Sequence, residues 1–308
     1  MRSVQLRRRL LGALVCLGLV LAGQNVALGD ELFRAVPDER GDRELAGVQG
    51  VERFRFVTVD LAQVGSGFGQ GYFKPETRLT LNLFPDVTVR AELERAGVSG
   101  STDQHWVGRL VEPAVGKVIL AFSEDTLSGT VTVGGVVYQI RNDGDPVHAI
   151  RELSPAESAE LSPLISASGG NPSPEMKVFR LVNHERRMRG LHLYEWNDAL
   201  AEAAREHSRD MGRRDFFNHV NPDGLDAGDR MRKAGYEWSD WSENIAAGQE
   251  TPVQVVEAWM NSTSHRLSIL CGVDGTDGID LYDIGVGYVE VPDSRYGHYW
   301  TQKFGSER

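Results

Sequence analysis

Cysteines and long apolar runs are scarce in this 308-residue sequence. Of its two cysteines, Cys16 lies in an N-terminal segment that we expect to be removed, which leaves Cys271 alone. An internal disulfide is then excluded, even in a compartment that permits disulfides. The apolar run at residues 10–22 has 13 residues, whereas a membrane-spanning helix needs about 20. The sequence therefore favours a removable leader over a membrane anchor.

Positive charge is also in short supply. The 33 Lys and Arg residues are outnumbered by 44 Asp and Glu, which gives a formal net charge of −11. Nucleic-acid binding depends on clustered basic side chains that displace counterions from phosphates, so this balance argues against a general nucleic-acid binder. The hydrophobic share of 41% and the charged share of 25% are those of a globular protein. The length suggests two domains.

The first 29 residues have the pattern of a secretory signal peptide. Arg2 and residues 7–9 supply four arginines, no acidic residue is present, and the apolar run is followed by Ala27-Leu28-Gly29, a small-x-small cleavage pattern. Arg7-Arg8-Arg9 would also suit a loose twin-arginine signal. Without this segment the formal charge becomes −15. We predict a secreted or periplasmic protein with no transmembrane segment in the mature chain.

The middle of the chain favours β-strands. Apolar and polar residues alternate repeatedly between residues 51 and 153, and Gly134-Gly135 between two valine-rich runs is a hairpin signal. We predict a flexible segment at residues 30–50, a small antiparallel β-sandwich at residues 51–153, and a linker at residues 154–173, which are rich in Pro, Ser and Gly.

The layout of residues 79–87, 106–109 and 129–140 resembles the β-rich segment that precedes some secreted bacterial metallopeptidase domains. That resemblance implies a pro-segment or an accessory module. The zincin pattern His-Glu-x-x-His is absent, because the string that starts at His184-Glu185 ends in Met188. We therefore interpret residues 51–153 as an accessory domain.

Helical patterns dominate after residue 173. Ser173-Pro174 and Thr251-Pro252 each place a capping residue before a first-turn proline, and Asp198 can cap a third helix. One face of that helix carries the apolar residues Leu200, Ala203, Ala204 and Met211, together with His207. Strand patterns return at residues 284–289 and 296–304. We predict an α+β protein in which residues 174–308 form an α-β-α sandwich.

Six ordered blocks in this C-terminal part resemble the bacterial CAP superfamily, which includes cysteine-rich secretory proteins, antigen 5 and plant pathogenesis-related proteins. The blocks lie at residues 183–196, 207–211, 216–224, 243–248, 259–266 and 299–305. The resemblance implies an SCP-like α-β-α fold, extracellular action and a cleft with a His/Glu/Glu/His tetrad that binds divalent metal in some members.

The implied tetrad is incomplete in this sequence. His219 matches its first histidine and Glu243 its first glutamate, but Ser262 and Tyr299 stand at the other two positions. His298 is adjacent to Tyr299, yet neighbouring side chains of a strand point to opposite faces.

Further histidines widen the candidate site to five cleft residues. These are His207, His219, Glu243, His265 and Tyr299. Three imidazoles and one carboxylate, from His207, His219, His265 and Glu243, would suit Zn²⁺, and His219 with Glu243 would suit general acid–base catalysis. Structural roles remain open: His207 as a core histidine, His265 at a helix end, and Glu243 as an anchor for the Gly248 loop.

The sequence leaves three functions open. The first is an exported, non-enzymatic CAP protein that binds a small apolar ligand, such as a lipid or sterol, or a cell-envelope partner near His219 and Glu243. The second is a hydrolase or peptidase that uses metal-assisted or His/Glu acid–base chemistry in the same cleft. The third is a purely structural envelope protein.

Overall fold

A computed structural model describes residues 32–36, 50–60, 78–98, 104–112, 115–123, 126–142, 147–166, 172–271 and 281–307. The predicted signal peptide lies outside these residues. Within them, no helix is both long enough and apolar enough to cross a membrane.

The described residues of the β-rich part form one antiparallel sheet. Its strands are β1 (Phe33–Ala35), β2 (Val51–Val59), β3 (Arg78–Phe84), β4 (Val87–Val98), β5 (Gln104–Glu112), β6 (Gly116–Ser123), β7 (Thr126–Val133), β8 (Val136–Asn142) and β9 (Val147–Leu153). They lie in the order β1-β2-β9-β8-β7-β6-β5-β4-β3. Gly134 and Gly135, both at positive φ, make the predicted β7–β8 turn.

The predicted two-sheet sandwich is wrong, because the described strands make a single sheet that curls until its edges meet. The Asn82 side chain of β3 accepts from Phe33 N (3.0 Å) and donates to Phe33 O (2.7 Å) of β1. Curling encloses one apolar face, which includes Leu81, Val131 and Ile140. The inner face is thus buried against itself and needs no second sheet.

Two segments predicted to lack structure contain regular elements. β1 lies inside residues 30–50, where Leu32 and Phe33 are buried. The predicted linker contains helix α1 (Pro155–Ile165), which begins where Ser154 accepts a hydrogen bond from Glu157 N. Its buried side chains are Ser158, Leu161, Leu164 and Ile165. Their i, i+3, i+4 spacing is a helical pattern that the Pro and Ser content obscured.

The described residues of the C-terminal part, 172–271 and 281–307, combine five helices with a four-stranded sheet. The helices are α2 (Pro174–Arg187), α3 (Asp198–Arg214), α4 (Ala227–Lys233), α5 (Pro252–Asn261) and α6 (Thr263–Leu270), and the strands are β10 (Glu195–Trp196), β11 (Trp238–Ala247), β12 (Asp283–Glu290) and β13 (His298–Glu307). The strand order is β10-β12-β13-β11. Ser173 and Thr251 cap α2 and α5 as predicted, whereas Asn197 rather than Asp198 caps α3.

Successive residues of the strands face opposite sides of the sheet, and each side is covered by a different layer of helices. Gly285 and Gly287 of β12 face α3, and an ideal Cβ on either would lie 2.1 Å from a backbone nitrogen of that helix. Ile284 and Val286 point the other way, into a core shared with α2 and α5. The predicted α-β-α arrangement is therefore present, with α3 and α4 on one face and α2, α5 and α6 on the other.

The curled sheet packs on the α2–α5 side of this sandwich. Val107, Ile119 and Val137 share one apolar core with Val255 and Trp259 of α5. At the centre of the contact, Arg141 of β8 bonds Glu185 of α2 and Glu257 of α5, and all three side chains are 2% exposed. The curled sheet and the face that carries α3 and α4 therefore lie on opposite sides of the four-stranded sheet.

Candidate functional site

Glu243 marks the centre of the candidate site, on the α3–α4 face of the sheet. It lies on β11 opposite Lys303 of β13. Adjacent residues Asn244 and Gln302 face the other way and bond each other. Glu243 is 7% exposed, so its carboxylate is available only to groups that the fold brings to it.

His219 is the exposed member of the site. It lies in the loop between α3 and α4, and its Nδ1 is 2.9 Å from Glu243 Oε1. The His219 side chain is 51% exposed, against 1% for Glu243. An ionised carboxylate only accepts hydrogen bonds, so Nδ1 is the donor, and the neutral imidazole has its lone pair on Nε2. The pair thus consists of an oriented imidazole and a buried carboxylate.

Asn221 and Arg230 hold the loop that carries His219. Asn221 Oδ1 accepts from Asp223 N (3.1 Å) and Leu225 N (2.9 Å). Arg230 of α4 donates to Leu225 O (2.7 Å) and His219 O (2.8 Å). Because Arg230 Nη2 also lies 2.9 Å from Glu243 Oε2, one guanidinium fixes both the loop and the carboxylate.

Two cations keep Glu243 ionised. Lys303 Nζ lies 2.5 Å from Oε2, and Arg230 contacts both oxygens. Burial by itself raises the pKa of Glu243, but Lys303, the His219 hydrogen bond and Arg230 outweigh burial, and the pKa is lowered. Among the residues that the structure describes, the Glu243 carboxylate bonds the side chains of His219, Arg230 and Lys303 and no backbone amide of the Gly248 loop.

His207 lies beside the pair but is buried. Its Nε2 donates to Asn218 O (3.1 Å) and stands 4.0 Å from Glu243 Oε1. Burial lowers the pKa of His207 to about 3, which keeps the ring neutral. Its Nδ1 has no hydrogen-bond partner among the described residues. His207 is therefore a core histidine, one of the roles that the sequence left open, and it also lies next to the His219–Glu243 pair.

His265 does not join this group. It lies on α6, and its carbonyl accepts from Asn244 Nδ2 (3.1 Å) on the sheet face opposite Glu243. Tyr299 shares the face of Glu243, but it is fully buried in a cluster with Met211, Ile245 and Ala247.

Strand alternation places His298 as predicted, away from Tyr299. His298 Nδ1 lies 2.8 Å from Tyr288 Oη, and the Tyr288 ring stacks on Trp300. His298 therefore does not supply the missing histidine of the tetrad.

The side chains present do not fit the predicted zinc site. No three His, Cys, Asp or Glu side chains within the described ranges form a group that could hold a metal ion. The predicted set fails because His265 is across the sheet, His207 is bonded to Asn218, and the oxygens of Glu243 are occupied by Arg230 and Lys303. A divalent cation would lie among positive charges rather than carboxylates.

A charged cavity of about 320 Å³ adjoins the site. Its lining comprises Glu206, His207, Arg209, Asp210, Arg213, Asn221, Asp223, Leu225, Arg230 and Lys233. His207 and Arg230 therefore belong both to this cavity and to the surroundings of Glu243.

Sequence reasoning missed Arg230, Lys303 and Asn221. Lys303 could have been found, because Tyr299, Thr301 and Lys303 share one face of β13 by alternation. No local signal marks Arg230, since it reaches Glu243 only through the placement of α4.

Acid should destabilise the protein partly through His207. Its folded pKa of about 3 lies below the ordinary value of 6.5, so below pH 6.5 only the unfolded chain takes up the proton. Stability is unaffected above pH 6.5 and falls with decreasing pH, by up to about 1.4 kcal/mol per pH unit from this group. We expect His207→Gln, whose amide can still donate to Asn218 O, to show a shallower decline between pH 6.5 and 5 in urea unfolding.

Between pH 6.5 and 5, other titrating groups do not alter the comparison of wild type with His207→Gln. His105, whose pKa burial lowers to about 4, contributes equally to wild type and variant. Glu243, with a lowered pKa, loses its contribution only below its ordinary value of 4.5. Equal slopes for wild type and His207→Gln would contradict the assignment to His207.

Comparison with known proteins connects this site to a family. Residues 179–304 match the family model described as CAP, the cysteine-rich secretory protein family. This range includes His207, His219, Glu243, His265 and Tyr299.

Two proteins of Bacillus subtilis are similar in sequence. The uncharacterized protein YkwD is 37% identical over 151 residues, which are 49% of this chain and 54% of YkwD. The uncharacterized membrane protein YlbC is 32% identical over 130 residues, 42% of this chain and 34% of YlbC. This chain thus spans about half the length of the first relative and about a third of the second.

Among solved structures, an extracellular protein containing a SCP domain from Bacillus anthracis aligns with a TM-score of 0.42 at 20% identity. The alignment covers 80% of this chain and 91% of that chain.

Proposed function

We propose that this chain, whose residues 179–304 match the CAP family model, is an exported CAP protein that binds an anionic ligand or envelope component beside His219 and Glu243. Export rests on the pattern of residues 1–29 and would place the protein outside the cell or in the periplasm. The charged cavity next to the His219–Glu243 pair is the observation that carries the proposal.

The size and lining of the cavity support a small charged ligand. A volume of about 320 Å³ lies at the lower end of ligand pockets, which are usually apolar with a few polar groups. Here most of the lining side chains are charged. The lining therefore supports an ionic ligand rather than the lipid-like or sterol-like ligand suggested by the family resemblance.

The charges that remain unpaired in the cavity are mainly positive. Asp210 and Asp223 pair with Arg214, which lies next to the cavity. In contrast, Arg209 and Arg213 make no ion pair with any residue that the structure describes, and Lys233 acts on Asp223 only at longer range. Among the described residues that line the cavity, Glu206 is the single acidic one without an ion pair. A carboxylate or phosphate group complements this arrangement.

Binding of small anions tests the proposal. We expect inorganic phosphate and citrate to bind saturably in calorimetry, with affinity that falls at high salt. Arg209→Ala/Arg213→Ala should weaken binding about tenfold, equivalent to about 1.4 kcal/mol. Arg180→Ala is the matched control, because Arg180 is an exposed arginine of α2 on the other side of the sheet, and it should leave the affinity unchanged.

Two outcomes would overturn the anionic ligand. One is equal anion affinity in the wild type and the double variant. The other is saturable binding to phosphatidylcholine–cholesterol vesicles without binding of either anion, which would restore the apolar ligand.

A hydrolase is the second candidate, supported by the His219–Glu243 pair. An imidazole oriented by a buried carboxylate, with Nε2 on the exposed side, can act as general base towards water. Turnover of a peptide library that falls at least about a hundredfold in His219→Ala would favour this function, since general-base catalysis contributes about 10²–10⁴. Equal turnover by wild type and His219→Ala would remove it.

A further inference from the structure

Lys303 is a fully buried lysine whose ammonium group contacts the Glu243 carboxylate. Its side chain is 0% exposed, and Nζ also lies 3.5 Å from Ala227 O at the start of α4. Burial lowers the pKa of Lys303, while Glu243 acts in the opposite direction. Buried lysines occur almost only where they are paired, so the contact with Glu243 accounts for this position.

Three donor groups make four contacts with the Glu243 carboxylate. His219 Nδ1 and Arg230 Nη2 approach Oε1 at 2.9 and 3.1 Å. Lys303 Nζ and Arg230 Nη2 approach Oε2 at 2.5 and 2.9 Å. Arg230 Nη2 also donates to His219 O, so its remaining hydrogen is shared between the two carboxylate oxygens. Both oxygens of Glu243 are therefore already engaged by side-chain donors.

The charges around Glu243 also disfavour a bound metal ion. Lys303 and Arg230 together bring two positive charges to one carboxylate, with Asp226 as a further acidic neighbour of Lys303. The adjacent His207 already donates to Asn218 O. A divalent cation at Glu243 would have to displace these cations or lie against them.

We propose that Lys303, together with Arg230, takes the place of a metal ion at this site and positions His219 through Glu243. Lys303 holds Oε2, which leaves Oε1 directed at His219 Nδ1. The imidazole is thereby fixed with its proton on Nδ1 and its Nε2 lone pair on the exposed side. Lys303 is thus a positioning residue, and this role does not depend on which ligand the cleft binds.

Metal titration of the full mature chain tests the first half of the proposal. Wild-type protein should show no change in melting temperature with ZnCl₂ or EDTA and no saturable heat in calorimetry. One equivalent of Zn²⁺ bound by wild type and lost in His219→Ala would overturn it.

Nitrogen NMR of the His219 ring tests the positioning role. We expect wild type to show one tautomer with a protected Nδ1–H. Lys303→Met should lose that protected proton, and Lys303→Arg should retain it. Lys177→Met is the matched control, because Lys177 is also buried but bonds Ser166 O on the other side of the sheet, and it should leave the His219 signals unchanged.

If Lys303→Met does not fold, the variant Glu243→Gln tests the positioning role instead. Because Lys303 acts through Glu243, Glu243→Gln should cause the same loss of the Nδ1–H signal. An unchanged His219 signal in either folded variant would overturn the positioning role. Anion affinity is measured separately, so absence of an anionic ligand would leave these results interpretable.

Discussion

Replacing Arg141 with methionine is expected to lower the free energy of unfolding by about 3–5 kcal/mol. Arg141 Nη2 lies 2.5 Å from Glu185 Oε1, and Nη1 lies 2.8 Å from Glu257 Oε2. All three side chains are buried at the junction between the curled sheet and the helices. Methionine fills similar space but leaves Glu257 without a cation, and Glu185 with Arg189 alone.

The effect of Arg141→Met should depend on pH in a definite direction. Burial raises the pKa of Glu257 even with Arg141 present, and without that cation burial should raise the pKa of Glu257 further. The native state would then hold a proton on Glu257 that the unfolded chain releases above its ordinary pKa of 4.5. Stability of the variant therefore falls as pH rises, so the loss is larger at pH 8 than at pH 5.

Urea unfolding of three variants measures this contribution. Arg90→Met is the matched control, since the Arg90–Glu112 ion pair has both side chains more than 60% exposed, and it should cost less than about 1 kcal/mol. Adding Glu185→Gln and Glu257→Gln to Arg141→Met removes the uncompensated charges and should recover part of the loss. A cost below about 1 kcal/mol for Arg141→Met would show that the network does not hold the sheet on the helices.

The second large effect is expected from Gly287→Ala. An ideal Cβ at Gly287 would lie 2.1 Å from Arg205 N and 2.3 Å from the Ala204 carbonyl carbon. Both atoms belong to the backbone of α3, so no side-chain rotation relieves the clash and the helix must move. Overpacking a core with flexible side chains costs about 1–3 kcal/mol, and we expect this backbone clash to cost at least about 3 kcal/mol.

Moving α3 should also disturb the site, because α3 carries His207. We expect Gly287→Ala to lower both the unfolding free energy and the anion affinity. Gly235→Ala is the control: nothing lies within 4 Å of its ideal Cβ, and its φ of +89° adds only local strain, about 1–2 kcal/mol. Equal losses for the two variants would mean that the approach of α3 to β12 is not the cause.

Local patterns predicted much of the C-terminal fold. Ser173 and Thr251 cap helices where the sequence indicated, since a capping residue and a first-turn proline act within one turn. Alternation on β13 placed Tyr299 and His298 on opposite faces. The same local reasoning failed for α1, where Pro and Ser suggested a linker although Leu161, Leu164 and Ile165 form a buried helical face.

The candidate site was predictable only in part. The resemblance to CAP proteins selected His219 and Glu243, and the structure places them 2.9 Å apart. Metal-ligand chemistry suggested that His265 could converge with them, although α6 lies across the sheet. Spacing along a chain does not reveal which side of a sheet a later helix will cover, because that depends on the packing of the whole layer.

The sequence by itself determined the elements whose signals span a few residues: helix starts, the Gly134-Gly135 hairpin, the buried face of α3 and the alternation of β13. Tertiary structure decided the contacts between distant residues. Glu243 meets Lys303 across 60 positions, and Arg141 meets Glu257 across 116. Contacts between distant strands, such as Asn82 of β3 with Phe33 of β1, also decided that the β-rich part is one curled sheet and not a sandwich of two sheets. The physical reason is that periodicity and capping act locally, whereas a buried charge is satisfied by whichever partner the packed layers bring within hydrogen-bonding distance.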